Sequence, residues 1–255
     1  MSGYEHNKKP GWVNFRLTLS YDGTGYSGFQ IQENALTIQE VLETCLEKLF
    51  GRFIRVTAAG RTDAGAHARG QVVHFMAVPI IPQDRLPHAL NGLLPGDIVV
   101  KGAVLEKESF DARRDARGKR YRYTIDNGTF PDVFWKRYAW HLSAPLDLDR
   151  MRHAAAYLVG EHDFRGYQAA GSSVESTIRR IDTLSIVREG HFFHFFVEGN
   201  GFLYKMVRNI VGTLVEVGCS KKKPDDVRMI LQSRKRENAG MTAPARGLCL
   251  EAVFY

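Results

Sequence analysis

At 255 residues, 44% hydrophobic and 25% charged, the chain has the composition of a folded globular protein with length for one large core or two small ones, which excludes a disordered chain. A net charge of +7 points to polyanionic partners, although a solvated basic surface would give the same figure. Cys45, Cys219 and Cys249 lie far apart, which excludes a disulfide framework or a CxxC metal knuckle, and they read as reduced core thiols.

The first element is a strand, because Val13, Phe15, Leu17 and Leu19 alternate with polar neighbours until the glycine-rich DGTGYSG segment breaks the pattern. Thr37 and Glu40 have capping-box spacing ahead of Ile38, Val41, Leu42, Cys45, Leu46, Leu49 and Phe50, whose three- and four-residue spacing predicts one apolar helical face. Strands are expected at 54–58 and 71–78, a short helix at 84–91 and a strand at 98–105. From 106 to 118 apolar periodicity lapses and charge rises. The order of elements then recurs: a strand at 119–125, a helix carrying Leu148, Met151, Ala155, Leu158 and Val159, strands at 178–188 and 191–199, a helix from about 201 to 217, another beginning near Pro224, and a strand with Leu248, Leu250, Ala252 and Phe254 alternating. This predicts an α+β protein of two similar domains, 1–112 and 113–255, flanking a basic cleft. Mixed or antiparallel sheets are expected because the strands around Gly190 are joined too tightly for a parallel crossover.

Arg113, Arg114, Arg117, Lys119, Arg120 and Arg122 fall within ten residues, and further clusters stand at 179–180, 221–223 and 234–236, a distribution that suits a broad phosphate-binding surface. In AGRTDAGAHA (59–68), a cation, a hydroxyl and a carboxylate sit among small residues that let a ligand approach the backbone. On the residues alone, a polar turn whose Asp63 caps local N–H groups is the stronger reading. In KRYRY (119–123), strand alternation throws Tyr121 and Tyr123 to one face and the cations to the other, and both tyrosines read as core. On the helix after Gly201, Lys205, Arg208 and Asn209 share one face, which reads equally as a solvated polar stripe. Asp22-Gly23-Thr24-Gly25 follows a strand as a phosphate-binding loop would, but lacks GxxxxGK[ST] and GxGxxG, and serves as well as a tight turn. His67, His74, His162, His191 and His194 have neither HExxH nor paired-cysteine spacing, so no metal is expected.

GRTDAGAHA closely resembles the GRTDAGVHA motif of TruA-type tRNA pseudouridine synthases. YDGTGYSGFQIQ, TIQE, GQVVHF, LPGDI, FDAR, KRYRYTI, GEHDF and KMVRNIVG follow in that family's order, from about residue 15 to the C-terminus. The resemblance implies the pseudouridine synthase fold, no cofactor, and isomerisation of uridine to pseudouridine in tRNA, at positions 38, 39 and 40 of the anticodon stem-loop. It implies that Asp63 is the catalytic nucleophile, adding either to the ribose or to C6 of the base, and that Arg208 pairs with it. Tyr121 would lie against the target base, leaving Tyr123 in the core. Arg61 would occupy or support the space left by a flipped nucleotide, its other reading being a phosphate contact. Arg113 of FDAR would stand near the site. A homodimer sharing one tRNA is also implied.

Departures from the family are few. Phe29 and Ile31 replace Trp and Arg of the common WQRQ segment, Ala66 replaces Val, and 169–175 matches poorly. A paralogue acting on other tRNA or rRNA uridines remains the alternative enzyme, and a catalytically silent RNA-binding or RNA-folding protein the alternative class. No apolar run approaches the roughly 18 residues of a membrane span. MSGYEHNKKP also lacks a signal peptide's apolar segment, so a cytoplasmic protein without membrane partners is expected.

Overall fold

A computed structural model describes residues 11–171 and 174–255. The N-terminal ten residues, read above for a signal segment, and residues 172–173 of the poorly matching stretch lie outside the described residues.

The strands are β1 (Val13–Tyr21), β2 (Thr57–Ala58), β3 (His67–Ala77), β4 (Ile98–Glu106), β5 (Gly118–Asp126), β6 (Trp140–His141), β7 (Gly160–Asp163), β8 (Ile178–Glu189), β9 (Phe192–Gly199) and β10 (Leu248–Phe254). The helices are α1 (Ile38–Phe50), α2 (Leu86–Asn91), α3 (Leu148–Ala156), α4 (Met206–Gly218) and α5 (Pro224–Ser233). The strands form one hydrogen-bonded sheet in the order β4-β1-β3-β10-β5-β9-β8-β7, with β2 on β3 and β6 on β5. Its pairings are antiparallel except β10 with β3 and β6 with β5, so the sheet is mixed and the α+β class holds.

The last strand of the chain joins the two halves. β10 lies between β3 and β5, so Ala68, Leu250 and Tyr121 stand abreast across three strands. Strands are about 4.8 Å apart, so the residues just before β3 and those on β5 are within reach of a common ligand.

α1 is nucleated by Thr37, whose Oγ1 accepts from the Glu40 N–H at 3.3 Å, and it buries Ile38, Leu42, Cys45 and Leu46. Each such side chain stabilises the fold by roughly 1.5 to 3 kcal/mol. The strand expected at 54–58 is only Thr57–Ala58, because Val56 N–H donates to the Glu43 carboxylate at 3.0 Å instead of to a neighbouring strand. The helix expected from Gly201 begins at Met206. Lys205 stands before it with φ 57, a left-handed conformation that a right-handed helix cannot run through.

Gly212 in the middle of α4 would be a helix-weakening choice on propensity alone. A Cβ there would stand 1.7 Å from the Met241 carbonyl oxygen, so only glycine lets the chain at 240–243 lie flush against the helix. That close approach brings the Ala243 carbonyl to Arg208.

Candidate active site

The 59–66 loop enters β3 and is braced by the DGTGYSG segment. A Cβ at Gly23 would lie 1.9 Å from the Ala66 carbonyl oxygen, so the two loops touch backbone to backbone. Phe29 N–H donates to the Thr62 carbonyl at 3.1 Å and Gly65 N–H to the Tyr26 carbonyl at 3.2 Å. Ala66 N–H closes a turn on the Asp63 carbonyl at 3.0 Å. Behind the loop, the Tyr21 and Thr62 hydroxyls are hydrogen-bonded at 2.8 Å, and Gln71 Nε2 donates to the Gly60 carbonyl at 2.8 Å.

His67 fastens the far end of the loop. Its Nε2 faces the carbonyl oxygens of Arg137 at 2.9 Å and Arg246 at 3.1 Å, which assigns the proton to that nitrogen. Nδ1 then accepts from Gly23 N–H at 3.1 Å, beside Asp22. Burial would raise the Asp22 carboxyl, but hydrogen bonds from the Thr24 hydroxyl and N–H and from the Tyr138 hydroxyl hold it below the ordinary carboxylate range. The DGTG loop is thus joined to the carboxylate loop through Gly23, Asp22 and His67, a bracing role that spacing alone did not reveal.

Asp63 Oδ2 accepts from Arg208 Nη1 at 2.5 Å, with 17% of the Asp63 and 13% of the Arg208 side chain exposed. Arg208 Nε donates to the Ala243 carbonyl at 2.7 Å, so the guanidinium is held at two points and its approach to Asp63 is fixed. Tyr121 is buried, packs edge-on against Phe202 with ring centroids 5.3 Å apart, and has no hydrogen-bond partner for its hydroxyl among the described residues. Burial first, with the Asp63 carboxylate nearby, raises its pKa well above the ordinary phenol value, so the hydroxyl keeps its proton at neutral pH. Tyr123 is fully buried and donates to the Pro244 carbonyl at 2.8 Å. Phe202 and the 243–247 segment were missed in the sequence, because Phe202 reads as an ordinary apolar residue and what the segment offers the site is backbone carbonyls.

Among the other expected residues, Arg61 is exposed on the same loop as Asp63, and Arg113 is exposed after its N–H donates to Asp111 Oδ1 at 2.9 Å. The cations of KRYRY do not all lie opposite the tyrosines. Arg120 and Arg122 do, while Lys119 shares the parity of Tyr121 and donates to the Ala59 carbonyl at 2.7 Å. Lys205, Arg208 and Asn209 do not form one solvated stripe, since Lys205 precedes the helix and Asn209 is fully buried. Asn209 Nδ2 donates to the Tyr167 carbonyl at 2.7 Å, and its Oδ1 accepts from Thr242 Oγ1 at 2.6 Å and Arg236 at 3.0 Å. Phe29 is a core residue, 6.3 Å in ring centroid from Tyr21. No group of three or more His, Cys, Asp or Glu suited to a metal occurs among the described residues. A cavity of about 460 Å³ lined by Asp22, His67, Arg122, Trp135 and Tyr138 lies on the sheet face opposite Tyr121 and does not include Asp63 or Arg208.

Comparison with known proteins gives this arrangement a family. Residues 18–113 and 154–255 match the family described as tRNA pseudouridine synthase. The chain belongs to the tRNA pseudouridine synthase family, and is an isomerase that converts uridine to pseudouridine. Within that family it is 51% identical over 242 residues to the tRNA pseudouridine synthase A of Moorella thermoacetica, covering 94% of this chain and 98% of that one. It is 49% identical over 240 residues to the enzyme of that name from Brevibacillus brevis, with 94% and 98% covered. Against the one from Acetivibrio thermocellus it is 46% identical over 242 residues, with 95% and 99% covered. These are TruA-type relatives, as the motifs led one to expect.

Proposed function

We propose that the chain isomerises uridines 38, 39 and 40 in the tRNA anticodon stem-loop, with Asp63 as nucleophile. The observation that carries this reading is the Asp63–Arg208 pair at 2.5 Å, set beside a buried tyrosine whose hydroxyl has no partner among the described residues. Arg208 engages Oδ2, which leaves Oδ1 for attack on C1′ of the ribose or C6 of the base. The N1–C1′ bond breaks, the base turns and C5 bonds to C1′ as the bond to Asp63 is released; C5 then loses its proton and N1 takes one up, which regenerates the carboxylate. Reactant and product are isomers, so the chemistry needs a nucleophile and a proton acceptor but no redox or group-carrying cofactor. Tyr121 would stack on the flipped base, a contact worth about 1 to 3 kcal/mol that offsets an extrusion cost of a few kcal/mol. Arg61 would fill or brace the space that the base vacates, and Arg113 would act on the substrate from the edge of the site.

The same reading includes a cytoplasmic enzyme acting as a homodimer. Phe130, Val133 and Phe134 are 82%, 76% and 85% exposed, an apolar run that a second copy would cover. No helix among the described residues is long and apolar enough to cross a membrane. Residues 1–112 and 113–255 serve as its two halves, the first supplying the Asp63 loop and the second Tyr121 and Arg208.

Pseudouridine mapping of RNA from cells with and without the gene tests the substrate assignment. Loss of modification at positions 38, 39 and 40 is expected, and loss confined to other tRNA or rRNA positions would replace the anticodon assignment with the paralogue reading.

A further inference from the structure

Lys119 reaches the active-site face from β5, and its ammonium lies under the first residues of the 59–66 loop. It donates to the Ala59 carbonyl at 2.7 Å, and a Cβ at Gly60 would stand 2.8 Å from Nζ. Arg113, from the segment after β4, and Arg179, at the start of β8, are both close enough for their charges to act on Lys119. Arg179 also borders the other wall of the site, since a Cβ at Gly201 would lie 3.7 Å from its Nε, and Phe202, the next residue, packs on Tyr121.

Three cations from distant parts of the chain therefore gather around Lys119, on the face of β5 that carries Tyr121. None of the three forms an ion pair with a carboxylate among the described residues. Arg179 spends Nη1 on the Ser176 carbonyl at 2.9 Å and the Ile178 carbonyl at 2.6 Å, which points its fork without neutralising it. Like charges brought together cost free energy unless an anion shares them. A carboxylate would have supplied that anion within the fold, as Glu251 does for Arg122 at 3.0 Å on the opposite face of the same strand.

We infer that Lys119, Arg113 and Arg179 form a binding site for one phosphodiester of the RNA backbone, next to the nucleotide that stacks on Tyr121. The inference rests on tRNA being the substrate. The site is coupled to the chemistry because one of the ammonium's three N–H groups holds Ala59, four residues before Asp63, while the other two have no hydrogen-bond acceptor among the described residues and can turn to phosphate oxygens. A phosphate bound there and the Asp63 loop would share one cation.

A further consequence is a pH dependence. Burial first, then Arg113 and Arg179, push Lys119 down to about 8. Its cross-strand neighbours on β9 and β10, Gly199 and Val253, carry no charge that would counter this. Phosphate favours the protonated amine, so RNA binding takes up a proton near pH 8, and affinity is greatest below that pH and falls as pH rises through it.

The test uses fluorescence anisotropy with a labelled tRNA transcript at several KCl concentrations between pH 6.5 and 8.5. Calorimetry in two buffers of different ionisation enthalpy counts the protons. Wild type is expected to take up part of a proton near pH 8. Lys119→Met should abolish that uptake, weaken binding about tenfold, the size of one charge-assisted hydrogen bond, and lower the salt slope by about one unit. Arg113 is exposed, so Arg113→Met keeps the fold and should weaken binding and lower the slope in the same way. Wild-type affinity and slope in Arg113→Met, or proton uptake that survives in Lys119→Met, would overturn the site and leave Lys119 as a prop beneath Gly60. Failure of the wild-type protein to bind tRNA would instead overturn the substrate reading on which the inference rests.

Discussion

Replacing Arg208 by methionine removes two bonds at once, Nη1 to Asp63 at 2.5 Å and Nε to the Ala243 carbonyl at 2.7 Å, while keeping most of the apolar length of the side chain. A hydrogen bond to a charged group contributes roughly 1.5 to 3 kcal/mol. Both side chains keep a little contact with solvent, 13% for Arg208 and 17% for Asp63, so water can partly replace what is lost. A net destabilisation of about 2 kcal/mol is expected, which for a chain of this size is a fall in Tm of about 4 to 8 °C. The effect on chemistry should be larger. Asp63 would no longer be held toward the target carbon, and a misplacement of about 1 Å costs on the order of 100-fold in rate. Single-turnover tritium release from tRNA labelled at uridine C5 should therefore fall by about 100- to 1,000-fold, while affinity for the same tRNA changes by less than about threefold. Arg208→Lys restores a charge but only a point donor, which cannot reach Asp63 and Ala243 together, and should fall between wild type and methionine. An Arg208→Met protein with a wild-type single-turnover rate at saturating enzyme and weakened RNA binding would refute this reasoning, since Arg208 would then be a substrate contact and not the support of Asp63.

Tyr121→Phe keeps the stacking face and loses the hydroxyl, so it separates the two contributions: a modest change in single-turnover rate assigns the work to stacking, a drop of orders of magnitude with RNA affinity retained assigns it to the hydroxyl, and wild-type activity in Tyr121→Ala would contradict both. Gly23→Ala forces a methyl to within 1.9 Å of the Ala66 carbonyl oxygen, so the loops must part. A loss of about 1 to 3 kcal/mol in urea unfolding and a disproportionate fall in turnover are expected, and an unaltered rate would show that the DGTG loop does not brace Asp63. Tyr123→Phe loses only the bond to the Pro244 carbonyl and should cost about 0.5 to 1.5 kcal/mol, with turnover within about threefold of wild type.

The elements with strong periodicity are legible in the sequence. β1, α1, β5 and β8 to β10 lie where alternation and helical spacing put them, because each has one face in the core. Other boundaries were not legible: β3 begins at His67 and not at 71, α3 ends at Ala156 short of Leu158 and Val159, and two more differ for reasons visible in the contacts. The strand at 54–58 shrank because a side chain, Glu43, took the backbone bond that the sequence pattern assigned to a neighbouring strand. α4 starts late because a left-handed Lys205 has no compositional signature. The motifs brought Asp63, Tyr121 and Arg208 to notice, but not the parts that position them. Gly23 reads only as part of a turn and Gly212 gives no signal of its own, and only contact distances show that each admits another segment's carbonyl oxygen. The alternation argument sets every cation of KRYRY opposite the tyrosines, although the parity of position 119 places Lys119 on the face of Tyr121. That β10 lies between β3 and β5 is a long-range pairing between residues 67–68 and 249–250, beyond what any local pattern encodes.

The central claim is that Asp63 is the nucleophile. Asp63→Asn nearly preserves shape and can still accept a hydrogen bond from Arg208, but it removes the charge that attacks. Tritium release from C5-labelled tRNA, measured beside binding of the same tRNA, is the direct test. The account predicts tRNA affinity within about threefold of wild type and no release above the rate without enzyme. Release within about tenfold of wild type would contradict it and remove Asp63 from the centre of the reaction.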